Sequence, residues 1–306
     1  MSPISGPPGI GSPARVNKLG FLTMSTPDVE RLADYYVDVL DLAAVQRDAD
    51  GAYLTTGPEH HALEIVRGDQ HGRAGVGLQI VGSLDDTAAA LKEAGVAAER
   101  RSDPAPGIGD ALVVAEALTG TPISLYEAQA PSGVESSLGL RPLKLGHVAS
   151  YVPELSPVWD FWEATMGFRW SDLIGDFFVF MRCNADHHAI NLMASAKFTG
   201  LHHVAFELRN FMHTKDAMDN LAKHDVRLEW GPGRHGAGHN VFTYHRDPDG
   251  NLVELFCELD VVHDEVSGTW EPRPWHEEFP QGPKVWELGV ATANSWGPIN
   301  PAMLDH

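Results

Sequence analysis

Cysteine, basic residues and long apolar runs are all scarce in this chain of 306 residues. The two cysteines, Cys183 and Cys257, cannot build a disulfide framework, so we expect a reduced, cytoplasmic setting. Lys and Arg number 22 against 42 Asp and Glu, giving a formal net charge of −20. This balance argues against nucleic acid and anionic membrane surfaces as partners. No apolar run approaches the roughly 18 residues of a membrane span.

The first residues are rich in Gly, Pro and Ser and have no apolar segment like that of a signal peptide. We predict a flexible arm over residues 1–15. Histidine, by contrast, is abundant and unevenly placed. The chain has 16 histidines, and only three of them precede His147. This asymmetry indicates that the chemistry lies in the second half.

The chain contains an internal duplication. The segment "GFLTMSTPDVERLADYYVDVLDL" from Gly20 aligns with "GHVASYVPELSPVWDFWEATMGF" from Gly146, and "TGTPISLYEA" aligns with "PDGNLVELFC". Each copy of the first pair predicts a strand, a turn and an amphipathic helix, which in the second copy spans 156–166. The sequence therefore predicts an α+β fold built from βαβββ modules. The four modules lie near 17–67, 74–128, 143–194 and 199–259.

These modules pair into two predicted domains, 16–130 and 142–260. The remaining segment, 261–306, matches no module and is rich in Trp, Pro and acidic residues. We predict that this tail packs on the core, where it could cover a site.

The two halves differ at positions that could bind a metal. His147 aligns with Phe21, and Glu254 aligns with Ser124. The strand "GLHHVAFEL" carries His202 and His203, whereas its counterpart "AGVGLQIV" has no histidine. A lone strand histidine is more often a hydrogen-bonded core residue, and a lone buried glutamate is more often salt-bridged. Their joint absence from the other half favours a metal site instead.

Glu254 is the most informative of these residues. It lies in the middle of the predicted strand "LVELFC", which is apolar on both faces. An ionised carboxylate is costly there unless it is paired or bound to a metal. Two imidazoles and one carboxylate are the ligands of the facial triad that holds Fe(II) and leaves positions open. The residues alone leave the choice between His202 and His203 undecided.

Four motifs extend this pattern: "LGHVASYVPEL", "MRCNADHHAINLM", "LHHVAFEL" and "GPGRHGAGHNVFTYHRDPDGNLVEL". With them the chain resembles the type I extradiol ring-cleaving dioxygenases of the vicinal oxygen chelate superfamily over nearly its whole length. The resemblance implies two similar open-barrel domains, the glyoxalase/bleomycin-resistance/extradiol dioxygenase fold, with the active site in the second.

The resemblance also implies roles for single residues. The metal ligands would be His147, His203 and Glu254, and the metal Fe(II), with Mn(II) as the alternative. His188 would be the acid–base residue, and His235 and Tyr244 would contact the substrate. Alternatively, His188 is an ordinary turn residue and Tyr244 an ordinary strand aromatic. His202 is expected on the face opposite His203, and two further histidines are expected at the surface: His239 and His245.

The implied reaction is extradiol cleavage of a catechol with O2 to a 2-hydroxymuconic-semialdehyde-type product, in aromatic catabolism. A neutral alkyl- or aryl-catechol is the expected substrate, because Arg234 and Arg273 are the only candidates for binding a substrate carboxylate. We also expect a homo-oligomer. The alternatives are a glyoxalase-like metal-dependent lyase and a non-catalytic small-molecule-binding protein of the same fold.

Overall fold

The computed structural model describes residues 8–9, 11–135, 139–271 and 280–300. A strand–helix–three-strand unit occurs four times in succession, which confirms the predicted modules. The first two units are β1 (Val16–Thr26), α1 (Val29–Asp38), β2 (Ala43–Arg47), β3 (Gly51–Thr55), β4 (Leu63–Arg67), β5 (Gly72–Ile80), α2 (Leu84–Glu93), β6 (Ala98–Ala105), β7 (Ile108–Ala115) and β8 (Pro122–Tyr126).

The last two units repeat this order. They are β9 (Lys144–Val152), α3 (Leu155–Ala164), β10 (Arg169–Ile174), β11 (Phe178–Arg182), β12 (Ile190–Ala194), β13 (Gly200–Glu207), α4 (Phe211–Lys223), β14 (Leu228–Arg234), β15 (Val241–Arg246) and β16 (Leu252–Cys257). The described part of the tail adds β17 (Val261–Asp264), β18 (Thr269–Glu271), β19 (Lys284–Trp286) and α5 (Val290–Ala293).

Each half forms one sheet of matching topology. The first has the order β2-β3-β4-β1-β5-β8-β7-β6, and the second β14-β15-β16-β13-β9-β12-β11-β10-β19. Within every module the first strand pairs in parallel with the last, and the two modules of a half join through their antiparallel first strands. The predicted fold class is thus confirmed.

Local sequence signals define the helix ends. The side chains of Asp28, Ser83 and Asn210 accept hydrogen bonds from backbone N–H groups in the first turns of α1, α2 and α4. α3 runs from Leu155 to Ala164 and is shorter at its end than the predicted 156–166. Just beyond this end, the carbonyls of Thr165 and Gly167 accept hydrogen bonds from the backbone N–H groups of Ala14 and Gly9 in the N-terminal segment.

One apolar core extends through both halves. It includes alternate side chains of β16, namely Val253, Leu255 and Cys257, together with residues of α1, α2, α3 and α4. The other side chains of β16 face away from this core, and every residue of the strand is buried, as predicted for a sheet covered on both sides. Among the described residues, no helix is long and apolar enough to cross a membrane.

A buried ion pair joins the two halves. Arg73 of β5 donates to Glu116, and both side chains are almost fully buried. From the second half, Trp162 Nε1 of α3 donates to the same carboxylate at 3.0 Å, and Ser150 Oγ of β9 accepts from Arg73 at 2.9 Å. Removing either charge would leave the other buried without its partner.

Arg73→Gln is therefore expected to lower the free energy of unfolding by roughly 3–5 kcal/mol, the usual cost of stranding a buried charge. Urea denaturation followed by Trp fluorescence measures the shift. Arg101→Gln is the matched control, because its ion pair with Glu99 is half-exposed, and it should leave the midpoint unchanged. Equal midpoints for the two variants would show that the buried pair contributes nothing.

Candidate metal centre

Three neighbouring strands of the second sheet carry the predicted ligand residues. β16, β13 and β9 lie side by side, and Ala205 of β13 pairs with Glu254 on one side and His147 on the other. His203 lies two residues before Ala205, so the alternation of side chains places it on the same face. The strand register therefore brings the three side chains together.

Their donor atoms form a compact triangle. His147 Nε2 lies 3.0 Å from His203 Nε2 and 3.0 Å from Glu254 Oε2, and His203 Nε2 lies 3.2 Å from the same oxygen. All three residues are buried. Ligands in adjacent positions around an octahedral ion with bonds of about 2.1 Å are about 3.0 Å apart. The spacing and the donor set of two nitrogens and one oxygen thus fit a divalent cation such as Fe(II) or Mn(II).

Further hydrogen bonds orient the carboxylate. Asn240 Nδ2 donates to Glu254 Oε1 at 2.8 Å, which turns Oε2 toward the two imidazoles. Tyr244 lies directly opposite Glu254 across the β15–β16 pair, and its hydroxyl donates to Oε2 at 2.9 Å. Such contacts hold a carboxylate in a fixed direction before a metal binds.

The electrostatics of the cluster favour the forms that bind a cation. Burial by itself raises the pKa of Glu254, but the facing His147 and His203 hold that pKa well below its usual value. Burial lowers the pKa of His203, against the opposing effect of Glu254. A carboxylate and a neutral imidazole are the protonation states that coordinate a metal.

The triangle faces a cavity that is open to solvent. Most of the cavity wall is apolar, formed by Ile174, Phe177, Phe178, Phe180, Met193, Trp230, Ala237, Leu288 and Ala293. Within the described part of the chain, the lining contains neither lysine nor arginine. Leu288, Thr292 and Ala293 belong to the tail, so the tail forms part of the wall.

His188 lines this cavity from the loop between β11 and β12. Its ring is buried and meets the ring of His147 edge-on at a centroid distance of 4.3 Å. Burial, with the neighbouring His147 and His187, holds the pKa of His188 well below its usual value. These surroundings favour the neutral imidazole, which has one unprotonated nitrogen.

His235 and Tyr244 also line the cavity and lie next to each other. His235 stacks on Phe242, with ring centroids 3.8 Å apart, and its Nε2 is 3.2 Å from the Tyr244 hydroxyl. His235 Nδ1 donates to the carbonyl of Ala293 in the tail at 2.7 Å. Burial lowers the pKa of His235 to about 4, and burial together with Glu254 raises that of Tyr244 well above its usual value.

The prediction that His202 lies on the face opposite His203 is wrong. His202 lines the cavity together with His203, and the two Nδ1 atoms are 2.5 Å apart. The β9–β13 register shifts between Leu201 and His203, which leaves His202 as the extra residue of a bulge. A bulge interrupts the strict alternation on which the expectation depended.

Two histidines predicted at the surface are in fact buried. His245 Nε2 bonds to the hydroxyl of Tyr35, which belongs to α1 of the first half. His239 Nδ1 lies 2.8 Å from Asp260 Oδ2. Contacts between distant segments bury both side chains, and strand periodicity contains no information about them. Of the two arginines considered for a substrate carboxylate, Arg234 bonds to Glu258 and to the His239 carbonyl, and Arg273 lies outside the described residues.

Sequence reasoning missed two amides at the site. Asn240 holds Glu254, as described above, and Asn191 of β12 lines the cavity next to His188. The Oδ1 atoms of both amides are buried and have no hydrogen-bond partner among the described residues. For Asn191 the duplication held a signal, because the motif "HHAINL" of the second half reads "HHALEI" in the first.

In the first half, an aromatic cluster occupies the position equivalent to the metal triangle. Phe21 replaces His147, and its ring lies against His61 and Tyr126 at centroid distances of 4.6 and 5.8 Å. Gly77 pairs with Phe21 as Ala205 pairs with His147, and a Cβ atom at Gly77 would overlap the Phe21 ring. Over the described residues, only His147, His203 and Glu254 form a group that could hold a metal ion.

Known proteins share this architecture over almost their whole length. A solved structure of a Mn(II)-bound glyoxalase from Novosphingobium aromaticivorans is 26% identical, with a TM-score of 0.81 over 96% of this chain and 95% of that one. Homoprotocatechuate 2,3-dioxygenase from Arthrobacter globiformis, at 24% identity, has the same fold with a TM-score of 0.81 over 99% and 95% of the two chains.

Among curated sequences, a manganese-dependent 2,3-dihydroxybiphenyl 1,2-dioxygenase from Geobacillus genomosp. 3 is 27% identical over 89% of this chain and 94% of its own length. A metapyrocatechase from Pseudomonas sp. (strain CF600) is 24% identical over 83% and 91%. The family model of the Glyoxalase/Bleomycin resistance protein/Dioxygenase superfamily matches residues 18–109 and 144–255, one segment in each half of the duplication. The chain therefore belongs to the Glyoxalase/Bleomycin resistance protein/Dioxygenase superfamily.

Proposed function

We propose that this protein is an extradiol dioxygenase that uses Fe(II) or Mn(II) and O2 to open a catechol ring beside its two hydroxyls. One observation supports this above all: the triangle of His147, His203 and Glu254 at the wall of an apolar cavity that a neutral histidine, His188, also lines. The dioxygenase names of similar sequences that align over most of this chain are further support.

In this proposal His147, His203 and Glu254 are the metal ligands. The bound metal would supply Lewis acidity and open positions for the catechol oxygens and O2. His188 would accept a proton from a catechol hydroxyl at its unprotonated nitrogen and return it later in the reaction. The apolar wall would exclude bulk water and hold the ring in place.

His235 and Tyr244 are proposed to contact the substrate. The raised pKa of Tyr244 keeps the proton on its oxygen, and this O–H donates to Glu254 Oε2, so toward a substrate hydroxyl the Tyr244 oxygen can act as an acceptor. His235 donates through Nδ1 to the Ala293 carbonyl, so its Nε2 is left as an acceptor. The tail thereby sets the tautomer of a residue that we place next to the substrate.

The donor set is compatible with two metals. Nitrogen and carboxylate ligands suit both Fe(II) and Mn(II). Fe(II) is our first proposal, and the manganese-dependent relative supports Mn(II) as the alternative. We also keep as predictions the cytoplasmic location, the homo-oligomeric state and the domain boundaries 16–130 and 142–260.

For the substrate we propose an uncharged catechol with an apolar alkyl or aryl substituent. Arg234, the described candidate for a substrate carboxylate, already bonds to the Glu258 carboxylate. The cavity wall offers aromatic and aliphatic surface in its place. A carboxylate bound there without a cationic partner would lose its hydration and gain little in return.

A glyoxalase-like lyase is the second candidate, favoured by the similarity to the Mn(II)-bound glyoxalase. Such an enzyme would also need a divalent metal, but it would act on a glutathione adduct without consuming O2. A polar adduct of that size would meet the phenylalanines that line the cavity. The same metal-loaded protein, assayed with both substrate classes, distinguishes the two candidates.

The direct test is an oxygen-electrode assay of the protein loaded anaerobically with Fe(II), and separately with Mn(II). We expect O2 uptake and a yellow product with 3-methylcatechol or 2,3-dihydroxybiphenyl. Homoprotocatechuate, which carries a carboxylate, should give a kcat/KM lower by at least about tenfold, because the described lining residues include no lysine or arginine to receive it. A metal-replete protein inert toward every catechol, but active on a glutathione hemithioacetal, would establish the lyase.

Glu254→Gln should lose bound metal and activity together, since an amide cannot supply the negative charge that the cation requires. The affinity for the metal should fall at least about tenfold. The metal content per chain, measured after gel filtration, reports this loss. Ser124→Ala is the matched control at the equivalent position of the first half and should keep wild-type metal content. If Ser124→Ala lost its metal instead, the metal centre would lie in the first half, and its assignment to the second half would be wrong.

His188→Asn should keep metal and substrate binding but lower kcat by roughly 10²–10⁴, the range for one acid–base group. Asparagine preserves a polar side chain in the loop but cannot exchange a proton near neutral pH. Steady-state rates at saturating catechol and O2 provide the measurement, and His224→Asn on α4's C-terminal cap serves as the control. An unchanged kcat would make His188 an ordinary turn residue.

A further inference from the structure

A buried chain of three side chains leads away from the cavity behind His188. His188 Nδ1 is 2.9 Å from Nδ1 of His187, and His187 Nε2 is 3.1 Å from Oδ2 of Asp172 on β10. All three residues are buried, with exposures of 2%, 0% and 3%. His187 and Asp172 are not among the residues that line the cavity, so they can act on it only through His188.

The carboxylate of Asp172 determines which nitrogens donate and which accept along this series of three side chains. An ionised Asp172 can only accept, so the proton on a neutral His187 lies on Nε2. His187 Nδ1 is then an acceptor, and the facing Nδ1 of His188 must carry the proton. The second nitrogen of His188, Nε2, is consequently left with its lone pair. Since Nδ1 points to His187, Nε2 is the nitrogen available to the cavity.

The position of Asp172 is itself fixed. Its Oδ1 accepts a hydrogen bond from the backbone N–H of Lys284 at 3.1 Å, where β19 of the tail pairs with β10. The strand register aligns His203, Ala149, Asn191, Phe180 and Asp172 in one row across the sheet. His187 is held from its other side by its backbone N–H, which donates to the Asp260 carbonyl.

The duplication provides an internal comparison. The first half has the same histidine pair, His60 and His61, with Nδ1 atoms 3.0 Å apart. At the position of Asp172 it has Gln46, which pairs with Tyr53 as Asp172 pairs with Phe180. Gln46 is exposed. The histidine pair is thus common to both halves, whereas the buried carboxylate behind it occurs in the half that contains the metal triangle.

We propose that Asp172 and His187 are positioning residues that set the tautomer of His188, so that its Nε2 lone pair is directed at the cavity. The inference rests on the proposed function for its catalytic consequence. On substrate binding, the O–H bond of a catechol hydroxyl breaks and its proton moves to His188 Nε2. The resulting imidazolium keeps its Nδ1–H···Nδ1 bond to His187, whose own proton remains on the Asp172 side. No electrons are exchanged in this step.

Asp172→Asn is a sharp test because the Lys284 N–H continues to require an acceptor. The amide oxygen should take the place of Oδ1, so the amide nitrogen faces His187 Nε2 and donates to it. Both imidazoles must then switch tautomer, and His188 Nε2 gains a proton on the cavity side. The change replaces a single oxygen by nitrogen and preserves the volume of the side chain.

The first readout is independent of turnover. Histidine ¹⁵N spectra of the protein loaded with diamagnetic Zn(II), assigned through His187→Gln and His188→Asn, should show His188 protonated at Nδ1 in wild type and at Nε2 in Asp172→Asn. A wild-type spectrum with His188 protonated at Nε2 would overturn the inference, even if the variant failed to fold. A protein without dioxygenase activity would refute the proposed function and leave this measurement valid.

The second readout is kinetic. Asp172→Asn should keep its metal content and its KM for catechol within about threefold, while kcat falls roughly 10–100-fold, as for other residues that orient an active group. In a His188→Asn background the same change should add no further loss, because the group that it orients is gone. His60→Gln, in the first-half pair, is the control and should leave kcat unchanged. A loss that persists in the His188→Asn background would assign Asp172 a purely structural role.

Discussion

The burial of a negative charge in the middle of β16 is the constraint on which the second half depends. Glu254 is 1% exposed, between Leu252 and Phe256 on a strand that is buried throughout. A carboxylate in such surroundings must be compensated. The compensation comes from both sides of the strand: His203 of β13 and His147 of β9 on one side, and Tyr244 of β15 on the other, with Asn240 holding the second oxygen. The same arrangement that makes the charge tolerable also produces a set of donors suited to a divalent metal.

The duplicate half shows what the scaffold does without that charge. With Phe21 in place of His147 and Ser124 in place of Glu254, the equivalent position is filled by an aromatic cluster. The sheet order and the pairing of its strands are nevertheless the same. Stability of the βαβββ module therefore does not require polar residues at these positions. Their presence in the second half reflects chemistry, and the first half contributes through the shared core and the buried Arg73–Glu116 pair.

Two segments outside the central strands complete the site. The loop between β11 and β12 places His188 beside His147, and the tail returns to the second sheet through β19 and α5. The tail closes part of the cavity with Leu288, Thr292 and Ala293, and its backbone hydrogen-bonds to two side chains at or behind the site. The Lys284 N–H donates to Asp172, which lies behind His188, and the Ala293 carbonyl accepts from His235 at the cavity wall. A segment that matches no module thus orients side chains that belong to the duplicated fold.

The sequence by itself determined the module order, the two-sheet architecture and the set of candidate donors, because these depend on periodicity and on differences between aligned halves. Strand alternation is a local property, so the buried position of Glu254 could be read from six residues. Contacts between distant segments were decided only by the tertiary structure. In the tertiary structure His245 is buried against Tyr35 of the other half, and a bulge directs His202 into the cavity. Asn240, Asp172 and the tail also lie at the site. Such contacts depend on strand register and on the path of loops, which hydrophobic periodicity does not encode.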